Sequence, residues 1–270
     1  MRLVLQHPLL LAIILLVVVA EIVWRRRTAR GYDGSSALAS LGVAVGQGLA
    51  RPLGALIIGM IAMSMSDMAP VQFPIDDWRT WAAGFVAVEI AYYWFHRFSH
   101  TVRWLWATHA VHHSSPEYVL PSAIRLGWTE LFSLGWLFFV GLILIGFPPL
   151  VVTILLGANL LYQFPLHTEM VGRLGPLEWI FNTPSHHRAH HASESEYLDC
   201  NFGGVLIVWD RLFGTFRPEP DQRRLRYGLV HPLNSNNPIR IALHEWQRLF
   251  ADMSRAHGLR AKVRIALGRP

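Results

Sequence analysis

Histidine recurs in four groups between residues 96 and 191, and any fold of this chain has to accommodate them. They read His96-Arg-Phe-Ser-His100, His109-Ala-Val-His112-His113, a single His167, and His186-His187-Arg-Ala-His190-His191. Residues three and four apart share a helix face, so His96 pairs with His100, His109 with His112 and His113, and His187 with His190 and His191. Imidazoles that converge on one face suit a transition metal. A lone His on an apolar helix is usually a hydrogen-bonded core residue, and one HxxxH carries little weight. With 14 His in 270 residues, an HxxHH is expected by chance only roughly 0.04 times per chain, and here there are two beside an HxxxH. Without a metal, so many clustered rings would need other polar partners.

Hydrophobic residues make up 52% of the chain and charged residues 16%, with a mean hydropathy of +0.30. That composition belongs to a membrane protein. The single Cys200 excludes an internal disulfide and a thiolate zinc cluster. The net charge of +6 is carried almost wholly by arginine next to apolar runs. No separate basic stripe exists, so no nucleic-acid partner is expected, and anionic lipid headgroups explain the charge.

Taken in order, residues 3–24 are apolar and end in Arg25-Arg26-Arg27. Charge after the run, not before it, predicts an uncleaved first span whose C-terminal end faces the cytoplasm. Ser36 to Met65, broken by Arg51-Pro52, predicts one long or kinked helix, and Asp67 to Asp77 an outer loop. A third span from Trp78 to Phe95 delivers His96 to the cytoplasmic face, with Tyr92, Tyr93, Trp94, Trp104 and Trp106 as an aromatic belt. Trp128 to Phe164, interrupted by Gly146-Phe147-Pro148-Pro149, predicts a hairpin of two helices that brings His167 back to the same side. Gly172 to Pro184 reads as an interfacial segment, and Pro238 to about Met253 as an amphipathic helix packed on the cytoplasmic domain. Arg103, Arg125, Arg188 and Arg211 are expected as cytoplasmic-side anchors, placed to guide an acidic donor or hold lipid phosphates. The predicted fold class is all-α. It is an integral membrane helical bundle of about four to five spans with a cytoplasmic histidine-rich helical cap. Residues 1–77 form the N-terminal spans, 78–216 the catalytic domain and 217–270 a polar cytoplasmic tail.

Three ligand logics compete. Zinc hydrolases use three protein ligands and an open position; the histidines here exceed that need, and HExxH is absent because residue 97 is Arg and residue 110 is Ala. Two metals with four or five imidazoles each fit the count, but imidazole suits iron, zinc, copper and nickel alike. Soluble di-iron bundles use Glu-x-x-His pairs, a spacing that Glu89, Glu130 and Glu169 lack. Glu89 and Asp199 read as helix-face residues or as groups that orient ligand rings. No pattern around Cys200 supports nucleophilic catalysis. A histidine-rich metal-binding or transport membrane protein is the rival from another class; a transporter would place its ligands within the spans, whereas these lie beyond their ends.

The boxes and their surroundings carry a resemblance. Tyr92-Tyr93-Trp94-Phe95-His96, His112-His113-Ser114-Ser115 and Trp209-Asp210-Arg211-Leu212-Phe213-Gly214-Thr215 resemble the fatty acid hydroxylase / sterol desaturase superfamily. Gly175-Pro176-Leu177-Glu178-Trp179 through Asn182-Thr183-Pro184-Ser185-His186-His187 is similar to its alkylglycerol monooxygenase-like bacterial members. The resemblance covers roughly residues 80 to 235. It implies a membrane non-haem di-iron monooxygenase. Such an enzyme uses O2 and two electrons from an external donor, a protein or a pterin, to hydroxylate a lipid C–H bond. The lipid is fatty acyl, sterol-like or alkyl-ether; desaturation at the same site is the alternative outcome. The metal ligands it implies are His96, His100, His109, His112, His113, His167, His187, His190 and His191. Behind them stand His186 and Asn201, the latter in an Asn-aromatic-Gly turn. The short loops and the lack of an organelle address point to a bacterial inner membrane, and the charge topology to cytoplasmic boxes with electrons arriving from that side.

Overall fold

The computed structural model describes residues 8–221 and 224–270. The first residues of the predicted first span, 3–7, lie outside the described residues. Helix α1 runs Pro8–Arg27 and α2 Gly34–Met68. α2 is started by Asp33, whose carboxylate accepts the Ser35 N–H at 2.9 Å, satisfying one of the N–H groups a helix start leaves unpaired. It is one continuous helix with Pro52 inside it. α3, Trp78–Thr101, starts the same way on Asp77. Val102 separates it from α4, Arg103–His113, so the first two histidine groups sit on consecutive helices. After a 3-10 turn at Leu120–Ile124 come α5, Glu130–Ser133, α6, Leu137–Ile145, and α7, Pro149–Gln163. A second 3-10 turn, Phe164–Leu166, extends α7 to His167, and a third covers Gly175–Trp179. α8, Pro184–His190, carries most of the last histidine group. α9 spans Val208–Leu212, α10 Pro238–Arg255 and α11 Leu259–Leu267. Among the described residues there is no strand, only two isolated bridges, Phe181 to Leu206 and Ala192 to Tyr227.

The main apolar core lies among α2, α3, α6 and α7, where Ala62, Val88, Tyr92, Phe139, Ile143 and Val152 pack together. A second core joins α2 to α4 and α10 through Ala39, Val43, Val111 and Ile241, and a third packs Ala107 of α4 on Trp246 and Leu249. α10 thus covers the apolar side of α4 and leaves its histidine side facing inward, as the amphipathic pattern of 238–253 predicts. Among the described residues, Gly34–Met68 and Pro149–Leu166 are long and apolar enough to cross a membrane. Much of the apolar surface of α1 and α2 is exposed, including Leu16, Leu38, Leu49 and Leu53. A contiguous apolar surface of that kind suits lipid rather than water.

Three expectations need correction. The first arm of the 128–164 hairpin is not a single helix: Leu134 takes a left-handed φ of 62°, and α6 restarts with nine residues. At 1.5 Å per residue α6 is about 14 Å long, under half of a hydrocarbon core of about 30 Å. Two members of the expected aromatic belt do not reach a surface. Tyr92 and Tyr93 are buried, Trp104 packs edge-on against Trp246, and Trp106 lies 5.3 Å from the His100 ring. Finally, none of the four arginines is a free surface cation. Arg125 is 1% exposed and donates to Ser36 O, Ser36 Oγ and Ser40 Oγ at 2.8 Å each. Arg188 forks onto Glu219 at 2.6 and 2.7 Å, Arg103 pairs with Asp252, and Arg211 lies over the Trp179 and Phe216 rings.

The approach of α2 to the 125–129 loop depends on a missing side chain. The Trp128 indole donates to Val43 O at 2.8 Å, and a Cβ on Gly46 would stand 2.0 Å from Trp128 Cζ2. A Cβ on Gly59 would meet nothing within 4 Å. Gly46→Ala is therefore expected to lower the melting temperature in detergent, at a cost of about 1–3 kcal/mol. Gly59→Ala should leave it unchanged or raise it, since alanine is the better helix former by about 1 kcal/mol.

Candidate metal centre

The fold gathers nine imidazoles into two adjacent groups. His96, His100, His109, His113 and His190 form one, and His112, His167, His187 and His191 the other. In each group one ring nitrogen per residue lies within 4.8 Å of all the others. The stacked rings of His113 and His191, with centroids 4.2 Å apart, join the two groups. All nine histidines singled out by the sequence are brought together, and His186 is not among them.

Helical spacing explains the partition. On α4, His109 and His113 are four apart and reach the five-histidine group, while His112 turns to the other. On α8 and its cap the roles reverse: His187 and His191 serve the four-histidine group and His190 the five. Each HxxHH therefore divides its rings between both groups, and one box cannot be placed without the other. His96 and His100 of α3 complete one group and His167 the other.

Backbone carbonyls fix the rings. His96 Nδ1 lies 2.9 Å from Phe202 O, His190 Nδ1 2.7 Å from Cys200 O, His112 Nδ1 3.2 Å from Arg125 O, and His167 Nδ1 2.9 Å from Gln163 O. A carbonyl only accepts, so each of these Nδ1 atoms carries the proton, and a neutral ring then presents a lone pair at Nε2. The Nε2 atoms of His112 and His167 face each other at 3.1 Å, two lone pairs in contact. Nε2 of His100, His113, His190 and His191 are buried with no partner. Facing lone pairs and orphaned buried ring nitrogens are accounted for by a cation between them. Protons are poor candidates for that cation, because burial pushes His112 down to about 4 and His190 to about 3. Burial and the neighbouring rings likewise hold His109, His113, His187 and His191 well below 6.5. All-nitrogen, neutral and water-poor, the donor set fits transition-metal ions.

The loop that supplies two of these carbonyls is itself tied down. Asp199 and Asn201 both have left-handed φ, 59° and 54°. The Asn201 side chain bonds to backbone groups. Its amide donates to His186 O and Arg217 O and accepts the Arg217 N–H, so it pins the loop to α8. Fully buried Asp210 accepts the N–H groups of Phe202 and Gly203 at 2.7 Å and the Thr215 hydroxyl at 2.6 Å. Glu89, on the histidine-bearing helix α3, accepts from Asn159 Nδ2 and from Val205 N and Leu206 N. A Cβ on Gly204 would stand 2.1 Å from Asn159 Nδ2, so only glycine lets this strap reach the Glu89–Asn159 pair. Asp199 approaches His100 Nδ1 at 4.0 Å and pairs with Arg269. His186 turns away from both groups toward Glu178, 3.8 Å from its Nε2, and its Nδ1 is buried without a partner.

Sequence reasoning missed the carbonyl anchors at Arg125, Gln163, Cys200 and Phe202, which no side-chain pattern records. It also missed Tyr118, whose ring stacks on His167 at 5.6 Å and whose hydroxyl donates to Leu166 O. Asp210 lies inside the Trp209–Thr215 run that was singled out, and that run was its only signal.

The family model described as fatty acid hydroxylase matches residues 81–215, the stretch that contains all nine rings. The chain is similar to alkylglycerol monooxygenase of Homo sapiens, 46% identical over 173 residues, covering 64% of this chain and 38% of that protein. It is 50% identical over 165 residues to alkylglycerol monooxygenase of Danio rerio, covering 61% of this chain and 36% of that one. It is also similar to ornithine lipid hydroxylase OlsE of Rhizobium tropici, 31% identical over 207 residues, 74% of this chain and 61% of the relative. The chain thus spans under two fifths of the two vertebrate relatives' length. No solved structure matches.

Rings kept neutral by burial set a pH dependence. The unfolded chain takes up protons near 6.5, whereas folded His112 does so only near 4. Between these values the unfolded state binds more protons, so acidification favours it. Stability of the metal-stripped chain is therefore expected to be full above about pH 6.5 and to fall as the pH drops through about 4, followed as melting temperature in detergent.

Proposed function

The chain belongs to the fatty acid hydroxylase family, and from that premise we propose that it is an O2-dependent lipid hydroxylase with two iron ions, one in each histidine group. The observation that carries this reading is the division of nine rings into a five-nitrogen and a four-nitrogen group with inward-facing, unpaired nitrogens. Iron in such a site supplies the oxidising chemistry that no side chain can perform. The chain's own residues then do three things. The carbonyls of Phe202, Cys200, Arg125 and Gln163 hold the Nδ1 protons, so the Nε2 lone pairs stay turned inward. The buried faces of α3 and α4 and the buried helix α8 keep water out. The exposed apolar surfaces of α1 and α2 place the site beside lipid.

In this reading α1, α2, α3, the broken arm α5–α6 and α7 make the membrane passes. The histidine groups sit at the cytoplasmic face of a bacterial inner membrane, where Arg25-Arg26-Arg27 also lie. The substrate is a membrane lipid, and an external donor, a protein or a pterin, provides two electrons. The names of the relatives support a lipid substrate: two act on alkylglycerol and one on ornithine lipid. The ligand histidines lie in the last turns of α3 and beyond the other spans, not at span centres, which disfavours metal transport.

Lipid extracts from cells with and without the chain test the proposal. Expression is expected to add lipids carrying one extra oxygen atom, dependent on O2 and absent with His187→Ala. Lipids that only lose two hydrogens would assign desaturation instead. Purified protein holding two zinc ions, together with unchanged lipids under O2 and reductant, would overturn the reading.

A further inference from the structure

The first helix has its polarity inside out for a simple anchor. Leu15, Leu16, Val19 and Val23 are 42–67% exposed, whereas Glu21 and Arg25, four apart on one face, are 1% and 5% exposed. An ionisable pair in an otherwise apolar helix is costly unless it has partners and a task. Both residues have partners, and every long-range one belongs to a segment that follows a ligand histidine. Glu21 accepts the Leu120 N–H at 2.8 Å and the hydroxyl of Thr168, next to His167, at 2.5 Å. Arg25 donates to Glu169 at 2.7 Å, to Glu117 at 3.3 Å and to Tyr118 O at 3.4 Å. Arg30 adds a second bond to Glu169 at 2.7 Å. Tyr118 stacks on His167, 5.6 Å between centroids, and its ring lies 5.3 Å from that of His191. Through Glu21 and Arg25, α1 therefore joins the chain just beyond His112–His113 to the chain just beyond His167.

We propose that Glu21 and Arg25 are positioning residues for the four-histidine group, holding His167 in register with His112; this rests on the reading that both groups hold metal. The segment that these bonds fix beyond His113 sets the Tyr118 ring against His167 and His191, both of the four-histidine group. The rings of the five-histidine group come from α3, α4 and α8, two of them, His96 and His190, are anchored by carbonyls of the 199–203 loop, and neither Glu21 nor Arg25 bonds to that loop. The helix is thus part of the metal site although it lies outside the matched residues 81–215.

The test is release of iron from the full-length, iron-loaded protein in detergent, followed as a chelator takes it up. Wild type is expected to release two ions slowly. Glu21→Ala and Arg25→Ala should release one of the two about 10–100-fold faster, the range typical of lost orienting partners, and the other at the wild-type rate. Glu21→Gln should behave like wild type, because its amide oxygen still accepts from Leu120 and its amide N–H can donate to the Thr168 hydroxyl. Thr168→Val, which exchanges the hydroxyl for a methyl group and leaves α1 intact, should reproduce the one-ion effect if Glu21→Ala does not fold. Equal acceleration of both ions, or wild-type release of both in all these variants, would overturn the proposal. Wild-type protein that binds no iron would instead overturn the reading on which it rests.

Discussion

Two neutral imidazoles with their lone pairs 3.1 Å apart, His112 and His167, set the terms for the rest of the structure. Such a contact repels unless positive charge lies between the nitrogens, and burial makes a proton a poor source of it. Four further Nε2 atoms are buried and unpaired nearby. A protein interior tolerates polar atoms of this kind only where something else completes them. The histidine core is in that sense an incomplete interior, and the surrounding fold resists its collapse.

That resistance comes from the backbone more than from side chains. Four carbonyls from three different segments take the Nδ1 protons, so ring orientation depends on where loops and helix ends lie. The loops are fixed in turn by buried charge. Asp210 holds the 202–203 peptides, Glu89 the 205–206 peptides, and Arg125 ties the chain after α4 to Ser36 and Ser40 of α2. Each charged group is hydrogen-bonded at nearly every atom, which is what makes its burial tolerable. Loss of one would displace a peptide and, through it, a ring.

The histidine groups were legible from helical spacing and residue type, and the resemblance supplied the nine of them that converge. The helices were legible at α2, α3 and α10, where apolar runs or apolar faces are long. The division between the two groups was not legible. It depends on how α4 and α8 face each other, a tertiary relation. The break at Leu134 was missed because a left-handed non-glycine residue inside an apolar run leaves no compositional trace. Arg125 and Arg188 were read as interfacial charges because a sequence shows the charge but not the serines, carbonyls and Glu219 that accept it.

The central claim is that these nine rings enclose two metal ions. Anomalous X-ray scattering across the iron absorption edge, from crystals of protein prepared with iron, locates them directly. The account predicts two peaks per chain, one among the ring nitrogens of His96, His100, His109, His113 and His190 and one among those of His112, His167, His187 and His191. A single peak, or peaks away from these nitrogens, would contradict it.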